Sequence, residues 1–230
     1  MELNFSFLSK YWPMFIRGAG TTLILSVFTV VIGLIVGVVL ALMRLGKFKP
    51  LSLISAAYTE FIRGTPLMVQ IFFIFYALPQ MGIKIPNISG LGFDFPRFAS
   101  GILAMGLNSA AYVGEIVRAG IQAVDRGQTE AARSLGMTQG QCMRMIVLPQ
   151  AVKNILPALG NEFVTLVKES SICSTIGVSE LMFGANLTRG ATYQTMGPLL
   201  LAAGLYLCMT FPASKLLGYV ERRMRRGDAR

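Results

Sequence analysis

Apolar positions in this chain fall in long runs. From Gly18 to Met43 no charged residue occurs in 26 positions, and from Ala191 to Ser214 none occurs in 24. At ~1.5 Å per residue, ~20 helical residues cross the ~30 Å hydrocarbon core of a bilayer, so both runs predict membrane-spanning helices. Three further stretches are apolar but interrupted. Residues 51–78 contain Glu60, Arg63 and Pro66 ahead of the clean segment VQIFFIFYALP. Residues 98–117 follow, and then the shorter, more polar 150–167, with Pro157 and Gly160 inside it. The pattern predicts an all-α integral membrane protein with five transmembrane helices, at about 18–43, 51–78, 98–117, 150–167 and 193–217, forming a single domain over 1–230. No internal repeat is evident, and an odd count of five is too small for an inverted-repeat carrier, which predicts a dimer.

Composition agrees with that pattern. Only 14% of residues are charged, against 53% hydrophobic, where a soluble domain would be about 25% charged. Met1–Arg17 carries Glu2 and lacks a basic leader with a small-residue cleavage site, so an uncleaved first span after a short surface segment is expected. Cys142, Cys173 and Cys208 are far apart and the chain has no His, so neither a metal site nor a redox pair is indicated. The net charge of +10 does not form one face with interleaved aromatics, which argues against nucleic acid.

The positive charge is instead sorted by loop. With the C-terminus cytoplasmic, segments 44–50, 118–150 and 215–230 lie inside and hold thirteen Lys and Arg; segments 1–17, 79–98 and 168–195 lie outside and hold six. The positive-inside rule therefore places the N-terminus outside, the C-terminus in the cytoplasm, and the 118–150 segment in the cytoplasm. The loop at 80–97 is rich in Gly, Pro and Asn, and the basic tail after Glu221 is expected to fray.

Within the third inner segment, residues 125–149 form a cytoplasmic elbow of soluble character. Asp125 with Gln128, and Thr138 with Gln141, have capping-box spacing. Gly136 stands where a helix end favours a left-handed residue. The elbow thus reads as a short helix with Ala131 and Leu135 on one face, a glycine stop, and a second helix meeting Pro149 at the membrane. A helix of about ten residues is marginal alone in water, so its small, Ala-rich face suits a groove in a partner.

The segment EAARSLGMTQGQCMRMIVLP (130–149) has Glu-Ala-Ala, a Gly after three residues, and Ile-x-Leu-Pro nine residues later. It resembles the EAA motif of bacterial ABC-importer permeases at full spacing. EFIRGTPLMVQ (60–70), NSAAYVGEIVRAGI (108–121) and GNEFVTLVKESSICSTIGVSEL (160–181) are similar to the polar amino acid branch of that family. The likeness is dense from Tyr58 to Leu181 and weaker at both ends, and Ile172 stands where Leu is commoner. It implies a type I ABC-importer permease fold in a bacterial cytoplasmic membrane, in a histidine-, glutamine- or arginine-type system. It also implies partners: two ATPase subunits, a second copy or a homologous permease, and an extracytoplasmic amino acid-binding protein. Glu130, Ala131, Ala132, Arg133, Ser134, Leu135 and Gly136 are the implied ATPase-coupling residues. The chain has no Gly-x4-Gly-Lys-Ser/Thr phosphate cradle, so it is expected to be non-catalytic, with no cofactor of its own and with ATP and Mg on the partner ATPase.

Ionisable groups inside a membrane default to functional hypotheses. Asn161, Glu162, Thr165 and Lys168 fall at i, i+1, i+4 and i+7 of the fourth span, and Asn108, Tyr112 and Glu115 at i, i+4 and i+7 of the third. A zwitterionic amino acid needs an acceptor for its ammonium and donors for its carboxylate. These two stripes, with Ser170 just beyond the fourth span, are the candidate substrate-binding residues. Pro157 and Gly160 could break the fourth helix and free backbone groups for ligand. The competing reading is interhelical glue, with Glu115–Arg118 and Glu60–Arg63 as structural pairs. A second function remains open on these acids alone: a small ion-coupled carrier or channel using Glu115 and Glu162. A bare membrane scaffold is disfavoured by the EAA spacing.

Overall fold

The charge-free run from Gly18 to Met43 lies within one helix, α1 (Leu8–Leu45), in a computed structural model that describes residues 5–88, 90 and 92–225. Met1–Asn4 and 226–230, including the end of the basic tail, lie outside the described residues, as do positions 89 and 91 of the Gly/Pro-rich loop. The last helix, α8 (Met196–Arg225), runs eight residues past the expected boundary at 217, so the tail is helical as far as Arg225. By length and composition α1 and Met196–Met224 are each able to cross a membrane.

Residues 51–78 are not one straight span. α2 (Lys49–Arg63) and α3 (Leu67–Gln80) meet at a bend of 102°. Gly64 ends α2, and Pro66, whose backbone is extended, starts α3; a residue before proline is turned away from helical geometry. Gln70 holds the corner shut. Its Nε2 donates to the Ile62 carbonyl (2.8 Å), the Thr65 carbonyl (3.2 Å) and Thr65 Oγ1 (2.8 Å). A π-turn at Phe73–Ala77 widens α3 below its end.

α4 (Phe95–Gln122) is opened by Asp94, which accepts the Arg97 backbone N–H and pairs with its guanidinium at 3.0 Å. α1 and α4 run parallel in close contact. A side chain added at Gly37 would meet Val113 Cβ at 2.8 Å, and one added at Gly114 would meet the Gly37 carbonyl at 3.2 Å. Such small residues let two helix backbones approach in a medium that offers no hydrophobic drive of its own.

The elbow follows as α5 (Arg126–Ser134), and then α6 runs over 139–169 with a π-turn at Met143–Val147. The expected break at Pro157 and Gly160 does not occur; the helix continues through both. Gly160 serves packing instead, because any side chain there would run into Leu217 of α8. Pro157 removes one N–H, a loss that membrane helices tolerate where neighbours compensate. A 3₁₀ segment (Ser170–Ile176) and the left-handed Gly177 lead to α7 (Leu181–Thr192). The largest core joins Leu25 of α1, Ile71 of α3, Met105 of α4, Leu166 of α6 and Cys173 of the 3₁₀ segment. Among the described residues there is no strand.

Candidate functional site

The elbow is closed at both ends of its glycine stop. Gly136 has φ +86°. Its N–H donates to the Arg133 carbonyl at 3.0 Å, and that of Met137 to the Ala132 carbonyl at 3.2 Å, the two bonds of a Schellman end. Thr138 and Gln141 form a full capping box at the start of α6. The Asp125–Gln128 box does not form: the Asp125 carboxylate accepts from Gly127 N instead, a simple cap on α5.

α5 is anchored by Ala132, buried against Cys142 and Val147 under Ile121 and Val124. Ala131 and Leu135 do not pack inward. Ala131, Glu130, Arg133 and Ser134 are exposed, and Leu135 is 85% exposed. A leucine so bare, on a helix with both ends fixed, is an unpartnered apolar contact. The Arg133 guanidinium donates to the Met137 carbonyl at 3.0 Å and Ser134 Oγ to the Glu130 carbonyl at 3.0 Å, tightening the turn.

The polar candidates of the two stripes separate into distinct contacts. Asn108 is buried and turned toward α3, its Nδ2 donating to Gln70 Oε1 at 3.0 Å. It therefore braces the α2–α3 corner. Tyr112 is 39% exposed, with the Arg63 guanidinium 5.4 Å from its ring centroid. Arg63 thus stacks on Tyr112, and no ion pair joins it to Glu60 among the described residues. Glu115 is held by Arg118 in a two-pronged pair with a shortest contact of 2.6 Å, and Arg118 also donates to Gln122. Glu162, half-buried, accepts from Ser109 Oγ at 2.7 Å and so bridges α6 to α4. Asn161 and Lys168 are exposed, Thr165 is half-buried, and Ser170 is buried with its hydroxyl on the Val167 carbonyl at 2.8 Å. Among the described residues no hydrogen bond links Asn108, Tyr112 or Glu115 to Glu162, Thr165 or Lys168. What joins the two stripes is Ser109, beside Asn108 in sequence.

Replacing Asn108 with Ala leaves Gln70 Oε1 without a donor, a loss of about 1–2 kcal/mol. The variant should unfold at a lower temperature than wild type in a detergent melt. Unchanged melting with poor transport would instead mark Asn108 as a substrate contact.

Sequence reasoning passed over Glu180, which is fully buried. Its carboxylate accepts from the backbone N–H of Met182 (2.8 Å) and Phe183 (2.6 Å) and from the Tyr206 hydroxyl of α8 (2.8 Å). The Leu181 N–H beside it donates to Thr22 Oγ1 of α1 at 3.3 Å. The available signal was a lone acid directly before the apolar run Leu-Met-Phe, a helix-start pattern.

Comparison with known proteins sets this geometry in context. Residues 30–226 match the model of the family described as the binding-protein-dependent transport system inner membrane component. The arginine transport system permease protein ArtQ of Bacillus subtilis is 40% identical, with 99% of this chain and 100% of that protein covered. A putative glutamine transport system permease protein GlnP of Rickettsia conorii is also 40% identical, over 96% of this chain and 98% of that protein. A chain in the crystal structure of an amino acid ABC transporter with histidines superposes with a TM-score of 0.89 at 47% identity, covering 97% of this chain and 100% of that one. An ion-coupled carrier or channel finds no support among these relatives. The chain belongs to the family of binding-protein-dependent transport system inner membrane components, the permease subunits of ABC importers.

Proposed function

We propose that this chain forms the translocation pathway of an ATP-driven importer for a polar amino acid and receives its work stroke through the elbow. The observation that carries the reading is α5, a nine-residue helix fixed at both ends, anchored by Ala132 and presenting Glu130, Ala131, Arg133, Ser134 and Leu135 outward. A protein without a phosphate cradle that displays a rigid, exposed, partly apolar knob is suited to docking an ATPase. Two chains, or one with a homologous permease, enclose the pathway. An ATPase subunit docks on each elbow, and a binding protein delivers substrate outside. α1, the α2–α3 pair, α4, α6 and α8 are the five spans, with the N-terminus outside. A polar substrate is supported by the arginine and glutamine transport in the names of its relatives, and by the half-buried Glu162 as a candidate acceptor for an ammonium group.

Reconstitution in proteoliposomes tests this. The chain alone should carry no amino acid. Uptake should appear when the ATPase, ATP with Mg, and the binding protein are all supplied. Glu130→Arg should release the ATPase from the purified complex while the permease remains inserted. Uptake by the chain alone, or retention of the ATPase by Glu130→Arg with full coupling, would sink the assignment.

A further inference from the structure

We propose that the α1–α2 turn binds the headgroup of an anionic phospholipid, with one acyl chain lying along the outer face of α2. Between the end of α1 and the start of α2 lies a notch of ≈ 660 Å³, lined by Arg44, Gly46, Lys49, Pro50, Ser52 and Leu53. Arg44 is half-buried, and Lys47 and Lys49 are exposed. Between Glu2 and Glu60 the sequence contains no acidic residue. Among the described residues none of these three cations forms an ion pair. The acid acting on Arg44 is Glu115, which Arg118 already pairs, so the three cations remain available to an anionic headgroup at a membrane boundary.

The notch is held in shape rather than left as a loose loop. The Gly46 N–H donates to the Leu42 carbonyl at 3.0 Å. Ser55 Oγ donates to the Leu40 carbonyl at 2.8 Å, and Ser52 Oγ reaches the Arg44 carbonyl at 3.4 Å. These bonds pin the first two turns of α2 against the end of α1, so Arg44 and Lys49 face a fixed gap.

The second half of the site is apolar. Leu53 (72% exposed), Ile54 (59%) and Phe61 (67%) lie on one side of α2, at i, i+1 and i+8, and Leu53 also lines the notch. A cationic mouth therefore continues into a hydrocarbon-like track. A free phosphate compound would use the mouth alone. A phospholipid matches both parts, a phosphate at one end and a chain at the other, and cations near an anionic membrane surface each contribute about fivefold in binding. This site needs only that the turn lies at the membrane boundary; it is independent of the ATPase and of the substrate.

Native mass spectrometry of the full chain in detergent, titrated with phosphatidylglycerol, tests it. Phosphatidylglycerol should bind, while phosphatidylcholine and glycerol phosphate at equal concentration should not. Arg44→Gln with Lys49→Gln should weaken binding by about twenty-fivefold, from two cations. Arg44→Lys with Lys49→Arg should retain it, and Arg222→Gln with Arg223→Gln on α8 should leave it unchanged. Undiminished binding by the 44/49 glutamine variant, or an equal loss in the 222/223 variant, would overturn the site. Equal binding of glycerol phosphate would overturn the lipid as its occupant.

Discussion

Proline at position 136 should abolish ATP-driven uptake while leaving the protein inserted and assembled through its spans. Gly136 sits at φ +86° and its N–H donates to the Arg133 carbonyl. Proline is locked near φ −65° and has no N–H, so both the left-handed turn and the Schellman bond are lost. A cost of about 3 kcal/mol falls on a nine-residue helix with little stability of its own, roughly a hundredfold in the population of the ordered elbow. Gly136→Asn, which tolerates the left-handed region, should transport nearly as well as wild type, and Gly136→Ala should fall between. Uptake by proteoliposomes, normalised to inserted permease, gives the ranking. A proline variant with wild-type coupled uptake would remove the elbow from the mechanism.

Glu180→Ala is expected to be the most destabilising single substitution among the polar residues. It deletes the cap on α7, a loss of about 1–2 kcal/mol, and leaves the Tyr206 hydroxyl without its acceptor, about 1–3 kcal/mol more. Together these amount to about 3 kcal/mol, read as a lower melting temperature of the purified protein. Because Tyr206→Phe removes the hydroxyl that Glu180→Ala leaves unpaired, the double variant should melt no lower than Glu180→Ala alone, and above it by part of that loss. Additive losses would show that Tyr206 is stabilised by something other than Glu180. Gly18→Val attacks the same junction from α1, since a Cβ there meets Leu181 Cα at 2.9 Å and the Glu180 carbonyl carbon at 3.0 Å. Backbone cannot move aside as a side-chain tip can, so this variant should also melt early.

Features coded by neighbouring residues are legible in the sequence itself. The charge-free runs mark α1 and α8, Gly136 marks the stop of α5, and Thr138 with Gln141 marks the start of α6. Each depends on a rule that operates within a few residues. The features that escape such rules are set by residues distant along the chain. Gly64 and Pro66 announce a corner, but the 102° angle is held by Gln70 and, through it, by Asn108 on α4. Gly160 looks like a helix breaker until Leu217 is placed against it. Asn108 and Glu162 are both polar and both fall in stretches whose hydropathy reads as a span, yet one is committed to bracing and the other to a hydroxyl on a neighbouring helix. Periodicity aligns them on faces but does not say which neighbour each face meets.

α6 carries the two candidate regions on one continuous helix, with the π-turn at Met143–Val147 between them. From Thr138, at the elbow, to Glu162 is 24 residues, about 36 Å of rod. If the elbow end is the fulcrum, a tilt of about 5° sweeps Glu162 through about 3 Å. The bond from Ser109 to Glu162 spans 2.7 Å, and α4 is locked against α1 and cannot follow so easily. On the proposed role of the elbow as coupling site, a tilt of that size about it is enough to part Ser109 from Glu162, so elbow movement and a freed carboxylate would come together.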